Sequence, residues 1–220
     1  MTEGSHVVRV DGSDGTSHDL GTIKIDTLAP TAAFVTPANG TFLVGSSGSF
    51  TAVCSDGPVG SGVTSGCPAT GTVNTSKPGP ATQAFTLTDI AGNSSTAGLA
   101  YRVQWAFAGF FSPVNNPATV NLVKAGSAVP VKFSLQDATG YVGALGNVST
   151  VDWQSISCPS GVAATTVVGT DATLSSLTYD ATANQYVYVW KTPKSLAASC
   201  QRLTVVLADS TSHTALFQFT

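Results

Sequence analysis

The sequence predicts an all-β protein in which two β-sandwiches follow one another, preceded by an isolated β-hairpin. Only 10% of the 220 residues are charged, and a single glutamate, Glu3, stands against eleven aspartates. Long helices are disfavoured, because their surfaces usually draw on Glu, Lys, Gln and Arg. Short apolar segments instead alternate with Gly, Pro, Asn and Asp turns, which is typical of antiparallel sheets.

The clearest single strand is Val129 to Leu135. Its apolar side chains recur at every second residue, while Lys132 and Ser134 have the opposite parity. This period of two is typical of a strand with one buried face, and Pro130 fits near its start. We therefore expect this stretch to be a core strand of a sandwich.

The domain organisation follows from a pattern that occurs three times. An alternating apolar strand runs into an Asp, a short turn follows, and a second alternating strand completes a β-hairpin. Three such hairpins indicate three domains, but only two have room for the strands that would precede them. We thus predict a remnant closing hairpin with its linker, an Ig-like sandwich, and a second Ig-like sandwich, at residues 1–26, 27–104 and 105–220.

The predicted strands are short and separated by turn signals, as in two-sheet sandwiches. In the first sandwich they are 32–36, 48–54, 70–74, 82–88 and 97–104; in the second they are 119–124, 128–135, 153–158, 173–179, 185–191, 202–208 and 214–220.

Charge and hydropathy exclude two classes of partner. The net charge is −3 and the nine Lys and Arg residues are scattered, so no basic patch is expected to hold nucleic acid. The longest apolar run, Trp105 to Phe111, is far shorter than the roughly 20 residues of a membrane-spanning helix.

The four cysteines divide equally between the two predicted sandwiches. Disulfides within each domain, Cys54 to Cys67 and Cys158 to Cys200, are the simplest pairing. Zinc is the alternative, but no Cys-x-x-Cys or His-x-x-x-His spacing occurs. Disulfides indicate a secreted or cell-surface protein, although no apolar signal segment follows Met1.

Two families resemble parts of this chain. Asp26-Thr-Leu-Ala-Pro-Thr31, Cys54-Ser-Asp56 and Thr88-Asp-Ile-Ala-Gly-Asn93 resemble the bacterial Ig-like repeats of surface and adhesin proteins. Residues 105–220, with Pro130, Lys132 and Phe133, resemble the PxKF domain at the C-terminal ends of large secreted actinobacterial proteins. The second resemblance implies no particular chemistry.

Aromatic residues suggest two sites. Trp105, Phe107, Phe110 and Phe111 begin directly after the first sandwich, which favours a buried domain junction over a ligand platform. In the strand 185–191, Tyr186, Tyr188 and Trp190 share one face, and with Trp153 they form a second candidate ligand platform.

Catalytic motifs are lacking. No Gly-x-Ser-x-Gly elbow, facing carboxylate pair, phosphate-binding loop or dinucleotide fingerprint occurs, so we predict that the chain is not an enzyme. The weak candidate ligands for calcium are Asp11, Asp14 and Asp26, because hard cations take oxygen ligands from turns. Asx turns, in which Asp bonds its own backbone, are the favoured interpretation, and no other cofactor is expected.

Two functions remain. The first is a non-catalytic spacer or adhesion-type module of a large secreted or cell-surface protein, with a protein or a cell-surface glycan as its partner. The alternative is a carbohydrate-binding accessory module of an extracellular hydrolase. We expect a monomer, or a strand-exchanged dimer that forms through residues 1–25.

Overall fold

A computed structural model describes residues 2–65, 67, 70–158 and 163–220, and these residues form an all-β protein. The chain divides into two compact units. The first comprises residues up to Phe42, Ser47–Asn74 and Ala81–Arg102, and the second comprises Leu43–Ser46, Thr75–Pro80 and Val103–Thr220.

The described residues form nineteen strands, which are numbered in chain order. They are β1 (Gly4–Asp11), β2 (Ser17–Ile25), β3 (Thr31–Thr36), β4 (Thr41–Leu43), β5 (Ser49–Ser55), β6 (Val63–Ser65), β7 (Thr70–Thr72), β8 (Gly79–Asp89), β9 (Ser94–Gln104), β10 (Ala106–Phe111), β11 (Val120–Val123), β12 (Ala128–Asp137), β13 (Gly140–Val142), β14 (Val148–Ile156), β15 (Ala163–Asp171), β16 (Leu177–Asp180), β17 (Gln185–Lys191), β18 (Cys200–Leu207) and β19 (Ser212–Phe219).

Helical structure in the described residues is limited to the single 3₁₀ turns Leu145–Asn147 and Lys194–Leu196. Neither 3₁₀ turn is long or hydrophobic enough to cross a bilayer, and the described residues contain no other helix.

The first two strands form a two-stranded antiparallel sheet, in register from Gly4↔Ile25 to Asp11↔Ser17. Within the described strands, no third strand extends this sheet. Val7 and Leu20 are therefore more than half exposed. That this hairpin is the remnant of a preceding domain stays a prediction.

The first unit contains a sandwich of two sheets with strand orders β3-β5-β7 and β4-β9-β8-β6. Phe34 of the first sheet meets Phe42 of the second edge to face at 6.4 Å. Each ring also packs on a neighbour in its own sheet, Phe34 on Phe50 at 5.4 Å and Phe42 on Tyr101 at 5.8 Å. Such ring pairs bury large apolar areas between sheets, which is how a sandwich core is stabilised.

The second unit contains a larger sandwich. Its sheets have strand orders β10-β12-β17-β16, with β13 also paired to β12, and β11-β19-β18-β14-β15. Val131, Phe133 and Leu135 of β12 are fully buried, so the predicted core strand and its inward face are confirmed. Phe133 stacks on Tyr186 of the adjacent strand at 5.1 Å.

Lys132 lies on the other face of β12, opposite Val187 in register, and is half-buried. Arg9 and Asp19 form a salt bridge at 2.9 Å. Among the described residues no carboxylate lies within 4.0 Å of the Lys132 ammonium.

Each unit has its own disulfide, as predicted. Cys54 is bonded to Cys67 in the first unit, and Cys158 is bonded to Cys200 in the second. The disulfides close 13 and 42 residues of sequence.

The aromatic segment after the first sandwich is itself a strand, β10, which the sequence did not predict. Trp105 and Phe110 are buried in the core of the second unit, and Phe107 packs against that core. Phe111 pairs with Lys132 in register. Trp105, Phe107 and Phe110 therefore belong to the interior of the second sandwich, which corrects the expectation that a domain junction is needed to bury them, while Phe111 is half-buried. The apolar side chains of residues 105–111 do not alternate regularly between the two faces of the strand, because β10 has a bulge between Phe107 and Phe110.

Candidate functional site

Three aspartates converge at one end of the first sandwich. Asp26 follows β2, Asp56 follows β5, and Asp89 ends β8. One carboxylate oxygen of each lies within 4.8 Å of the others. All three residues are at least nine-tenths buried. Strand ends bring together carboxylates that are far apart in sequence.

Backbone amides and one asparagine contact these carboxylates. Ser61 N–H donates to Asp26 Oδ2 at 2.6 Å, and Gly62 N–H donates to Asp56 Oδ2 at 2.7 Å. Asn93 donates its backbone N–H to Asp89 Oδ1 and its side-chain Nδ2–H to Asp89 Oδ2, both at 2.8 Å. The Asn93 amide also donates to the Asp26 carbonyl at 3.0 Å, which ties the hairpin turn to the linker.

The loop from Asp56 to Gly62 can fold this tightly because of its glycines. A Cβ at Gly60 would lie 1.8 Å from the Asp56 carbonyl oxygen, so no side chain fits there. Gly62 has a φ of +100°, a conformation that other residues rarely adopt. These glycines let successive amides, Ser61 and Gly62, point at two different carboxylates.

No positively charged side chain of the described residues pairs with the carboxylates of the cluster. Within the described residues no Lys, Arg or His nitrogen lies within 4.0 Å of the three carboxylates. Lys24 donates to the Gly60 carbonyl instead. Hydrogen bonds from Ser61 hold the pKa of Asp26 below its usual range, so this carboxylate is ionised at neutral pH.

One oxygen in the cluster has no partner. Asp56 Oδ1 is buried and makes no hydrogen bond among the described residues. Asp152 Oδ1, Trp190 Nε1 and Gln201 Oε1 share this property, but only Asp56 Oδ1 belongs to a group of three carboxylates.

The calcium candidates predicted from the sequence need correction. Asp26 belongs to the cluster, but Asp11 and Asp14 do not. Asp14 accepts bonds from the backbone and hydroxyl of Thr16, and Asp11 accepts a bond from Ser17. Asp14 is an exposed turn aspartate whose bonds to Thr16 form an Asx turn. Asp11 is the exposed last residue of β1 and bonds across the hairpin to Ser17 of β2. Asp56 and Asp89 replace them, since the first sandwich, not the hairpin turn, surrounds Asp26.

The predicted aromatic platform on β17 is also wrong. Tyr186, Tyr188 and Trp190 are at most 3% exposed and face the interior of the second sandwich. Trp190 contacts Phe217 and Phe219 edge to face at 5.2 and 5.5 Å. Rings that form the core cannot present a flat surface to a sugar.

Trp153 alone among the four platform residues reaches the surface. It borders a shallow groove of about 270 Å³ that Asp171, Tyr188 and Lys191 also line. The Tyr188 hydroxyl donates to Asp171 Oδ2 at 3.1 Å, so the polar groups of this groove already bind each other. Among the Phe, Tyr and Trp residues whose side chains the structure describes, only Tyr141 is mostly exposed.

A second groove, of about 460 Å³, lies beside His213 in the second unit. The His213 ring stacks on Phe107 at 3.7 Å, and burial lowers the pKa of this imidazole. Its Nε2 lies 3.3 Å from the Thr211 hydroxyl, but that hydroxyl donates to Asp209 at 2.6 Å. Because the hydroxyl proton is directed to a carboxylate, the arrangement does not resemble a His-activated nucleophile.

The aspartate that recurs in the closing hairpins has the same task in both sandwiches. Asp89 reaches the linker through Asn93, and Asp209 accepts the N–H of Trp105 at 3.0 Å. In each unit the aspartate thus fixes the hairpin turn to the segment that opens the sandwich. The sequence repeat signalled this position but not its contact.

No protein-family model matches the sequence, and no curated protein matches it either. Domains 4 and 5 of the S-layer protein SbsC are similar in structure, at 11% identity over 96% of this chain and 90% of that one, with a TM-score of 0.28. Fibronectin(III)-like modules of Clostridium thermocellum CbhA match at 13% identity over 86% and 92%, with a TM-score of 0.27. Extracellular domains 3–5 of Drosophila OTK match at 9% identity over 96% and 68%, with a TM-score of 0.37.

Similarities this weak do not assign the chain to a family. The class of protein is defined by the chain's own topology: in each unit two mostly antiparallel sheets form a sandwich whose core is made of alternating inward residues. The chain is an all-β protein of tandem Ig-like sandwiches.

Proposed function

We propose that this chain is a non-catalytic spacer that carries tension in a large secreted or cell-surface bacterial protein. The parallel pairing of β11 with β19, from Val120↔Leu216 to Val123↔Phe219, is the observation that carries this proposal. β19 is the last strand of the second unit, and β11 is its second, after β10, which pairs with β12 in the other sheet. A strand near the start of the sandwich and the strand that ends it are thus direct neighbours.

This arrangement favours resistance to force. When a chain is pulled from both ends, parallel neighbours near those ends are drawn in opposite directions along their length. Their hydrogen bonds are then loaded together, whereas the bonds of a hairpin open one at a time. The ladder continues past the strands, since Thr220 N–H donates to the Val123 carbonyl and Ala125 N–H donates to the Thr220 carbonyl.

The extracellular location rests on the disulfides. All four cysteines are paired, and each pair lies within one compact unit. Disulfides persist in oxidising compartments, which supports secretion or display at the cell surface. The bacterial source and the PxKF relationship of residues 105–220 stay proposals that rest on the sequence resemblance.

The burial of Tyr186, Tyr188 and Trp190 favours a spacer over a carbohydrate-binding module. The groove beside Trp153 is the remaining place for a sugar to stack. Affinity electrophoresis of the full chain in gels that contain soluble polysaccharides tests this alternative. Retardation that Trp153→Ala abolishes would favour the carbohydrate-binding function.

Single-molecule force spectroscopy of the full chain tests the spacer proposal directly. With the disulfide intact, the 42 residues between Cys158 and Cys200 cannot extend. Reduction should lengthen the extension of the second unit by about 150 Å, at about 3.6 Å per residue. This gain identifies which unfolding event belongs to the second unit.

A proline substitution then tests the β11–β19 ladder. Ala125→Pro removes the N–H that donates to Thr220 and should lower the unfolding force of the second unit. Ala144→Pro is the matched control, because Ala144 is exposed and its φ of −68° suits proline. Unfolding of the unmutated second unit at the force of a simple hairpin, or equal forces for both variants, would overturn the proposal.

A further inference from the structure

We propose that Asp26, Asp56 and Asp89 together bind one calcium ion. The site lies in the first sandwich and is independent of the tension-bearing strands of the second unit. Nothing in the function proposed above requires a metal.

The geometry of the three oxygens fits calcium. Calcium binds oxygen ligands at about 2.3–2.6 Å, so two oxygens on opposite sides of one ion lie about 5 Å apart. The three carboxylate oxygens are within 4.8 Å of one another and can therefore surround a single calcium ion. Magnesium, with ligands at about 2.0–2.1 Å, would require the group to contract to about 4.2 Å.

Burial makes a counterion necessary. Asp89 is 2% exposed, and Asp26 and Asp56 are 8% and 9% exposed. Removing several carboxylates from water without a partner charge is unfavourable, and neighbouring like charges add repulsion. The cations found near other buried carboxylates, Lys and Arg, do not pair with these three among the described residues.

The unpaired Oδ1 of Asp56 is a second sign of a ligand, and it does not depend on the charge of the cluster. Amides satisfy both oxygens of Asp26 and both oxygens of Asp89. Asp56 Oδ2 accepts the Gly62 N–H, but Oδ1 is buried without any donor. Buried polar atoms without a partner are rare in folded proteins, and an unseen ion is one explanation for them. Asx turns account for the Asp26 contact with Leu28 but not for this oxygen.

A proton shared between Asp26 and Asp56 is the competing explanation. A shared proton would reduce the negative charge and give Oδ1 a partner, but it would make stability independent of calcium. The two explanations therefore differ in the response of the whole chain to calcium chloride alone.

The experiment uses the full oxidised chain, freed of metal with EDTA and then dialysed. Calorimetric titration with calcium chloride should yield one ion per chain, and scanning calorimetry should show a calcium-dependent rise in the unfolding temperature. Calcium at 100 times its dissociation constant should shift the folding equilibrium about 100-fold, or about 2.7 kcal/mol. Magnesium chloride should bind at least tenfold more weakly.

Asp56→Asn is the decisive variant because asparagine keeps the shape and lacks the charge. In EDTA it should be at least as stable as the unmutated chain, since like-charge repulsion is relieved. In calcium it should be the less stable of the two, with affinity reduced at least tenfold. Asp26→Asn serves as a second variant if Asp56→Asn fails to fold.

Asp14→Asn is the matched control, since Asp14 is an exposed turn aspartate outside the cluster. It should retain the full calcium response. The proposal is overturned if the unmutated chain releases no heat and melts at the same temperature in calcium and EDTA. It is equally overturned if Asp56→Asn and Asp26→Asn bind calcium as the unmutated chain does.

Discussion

The Tyr186 hydroxyl offers a sharp test of how the second sandwich is stabilised. Tyr186 is fully buried, and its ring stacks on Phe133. Its hydroxyl donates to the Ala144 carbonyl at 3.0 Å and accepts a bond from Asn147 Nδ2 at 3.1 Å. Tyr186→Phe keeps the ring and its stacking but removes both hydrogen bonds.

The expected loss follows from those two bonds. Each intramolecular hydrogen bond contributes about 1 kcal/mol, so the free energy of unfolding should fall by about 2 kcal/mol. With a urea dependence of about 2 kcal/mol per molar, the midpoint should drop by about 1 M. The three tryptophans, Trp105, Trp153 and Trp190, all lie in the second unit, so their fluorescence follows this unit specifically.

The same variant has a defined pH dependence. Burial raises the pKa of Tyr186 to about 12, whereas an unfolded tyrosine titrates near about 10. The folded state holds the proton more tightly, so this contribution is complete below about pH 10 and is lost as the pH rises through about 12. The stability difference between the unmutated chain and Tyr186→Phe should therefore shrink in alkaline solution.

Tyr141→Phe is the control, because Tyr141 is 53% exposed. A urea midpoint for Tyr186→Phe that shifts no further than that of Tyr141→Phe would show that the two hydrogen bonds do not stabilise the sandwich. A stability difference that stays constant between about pH 9 and about pH 12 would contradict the expected loss in alkaline solution.

Three further predictions concern the second disulfide, the Lys132 face of β12 and the hairpin. Replacing Cys158 and Cys200 by Ser together should lower the free energy of unfolding by about 4 kcal/mol, from the 42-residue separation; a loss below about 1 kcal/mol in urea titrations would contradict this. Lys132→Met should change stability by less than about 1 kcal/mol, because no carboxylate in the described part of the chain lies within 4.0 Å of this half-buried lysine; a loss of several kcal/mol would reveal an ion pair. Amides of residues 4–25 should exchange with solvent faster than those of β12, since a lone hairpin is marginally stable, and equal protection in a monomer would refute this.

The sequence by itself indicated most of the strands and which cysteines pair, although it missed β10 and β15. Alternation identified β12 and its inward residues Val131 and Phe133, because a strand with one apolar face has a single way to bury it. The disulfides followed from the even division of cysteines between two domains. Strand alternation is a property of one segment, and the disulfide pairing is a property of one domain. The local sequence pattern is therefore sufficient to predict both.

β17 marks the limit of that reasoning. Tyr186 and Tyr188 alternate with Val187 and Val189, so both faces of the strand are apolar and period two does not choose between them. The opposing sheet makes the choice, because Phe217 and its neighbours provide the surface on which the larger rings pack. The platform prediction failed for this reason.

Tertiary structure alone decided which carboxylates meet. Asp26, Asp56 and Asp89 are separated by whole strands, and each reads locally as a turn aspartate. Turn signals alone could not rank Asp56 and Asp89 above Asp11 and Asp14, since a turn signal describes only the backbone around it. Whether such an aspartate stays in water or is buried against others depends on which strand ends the sandwich brings together.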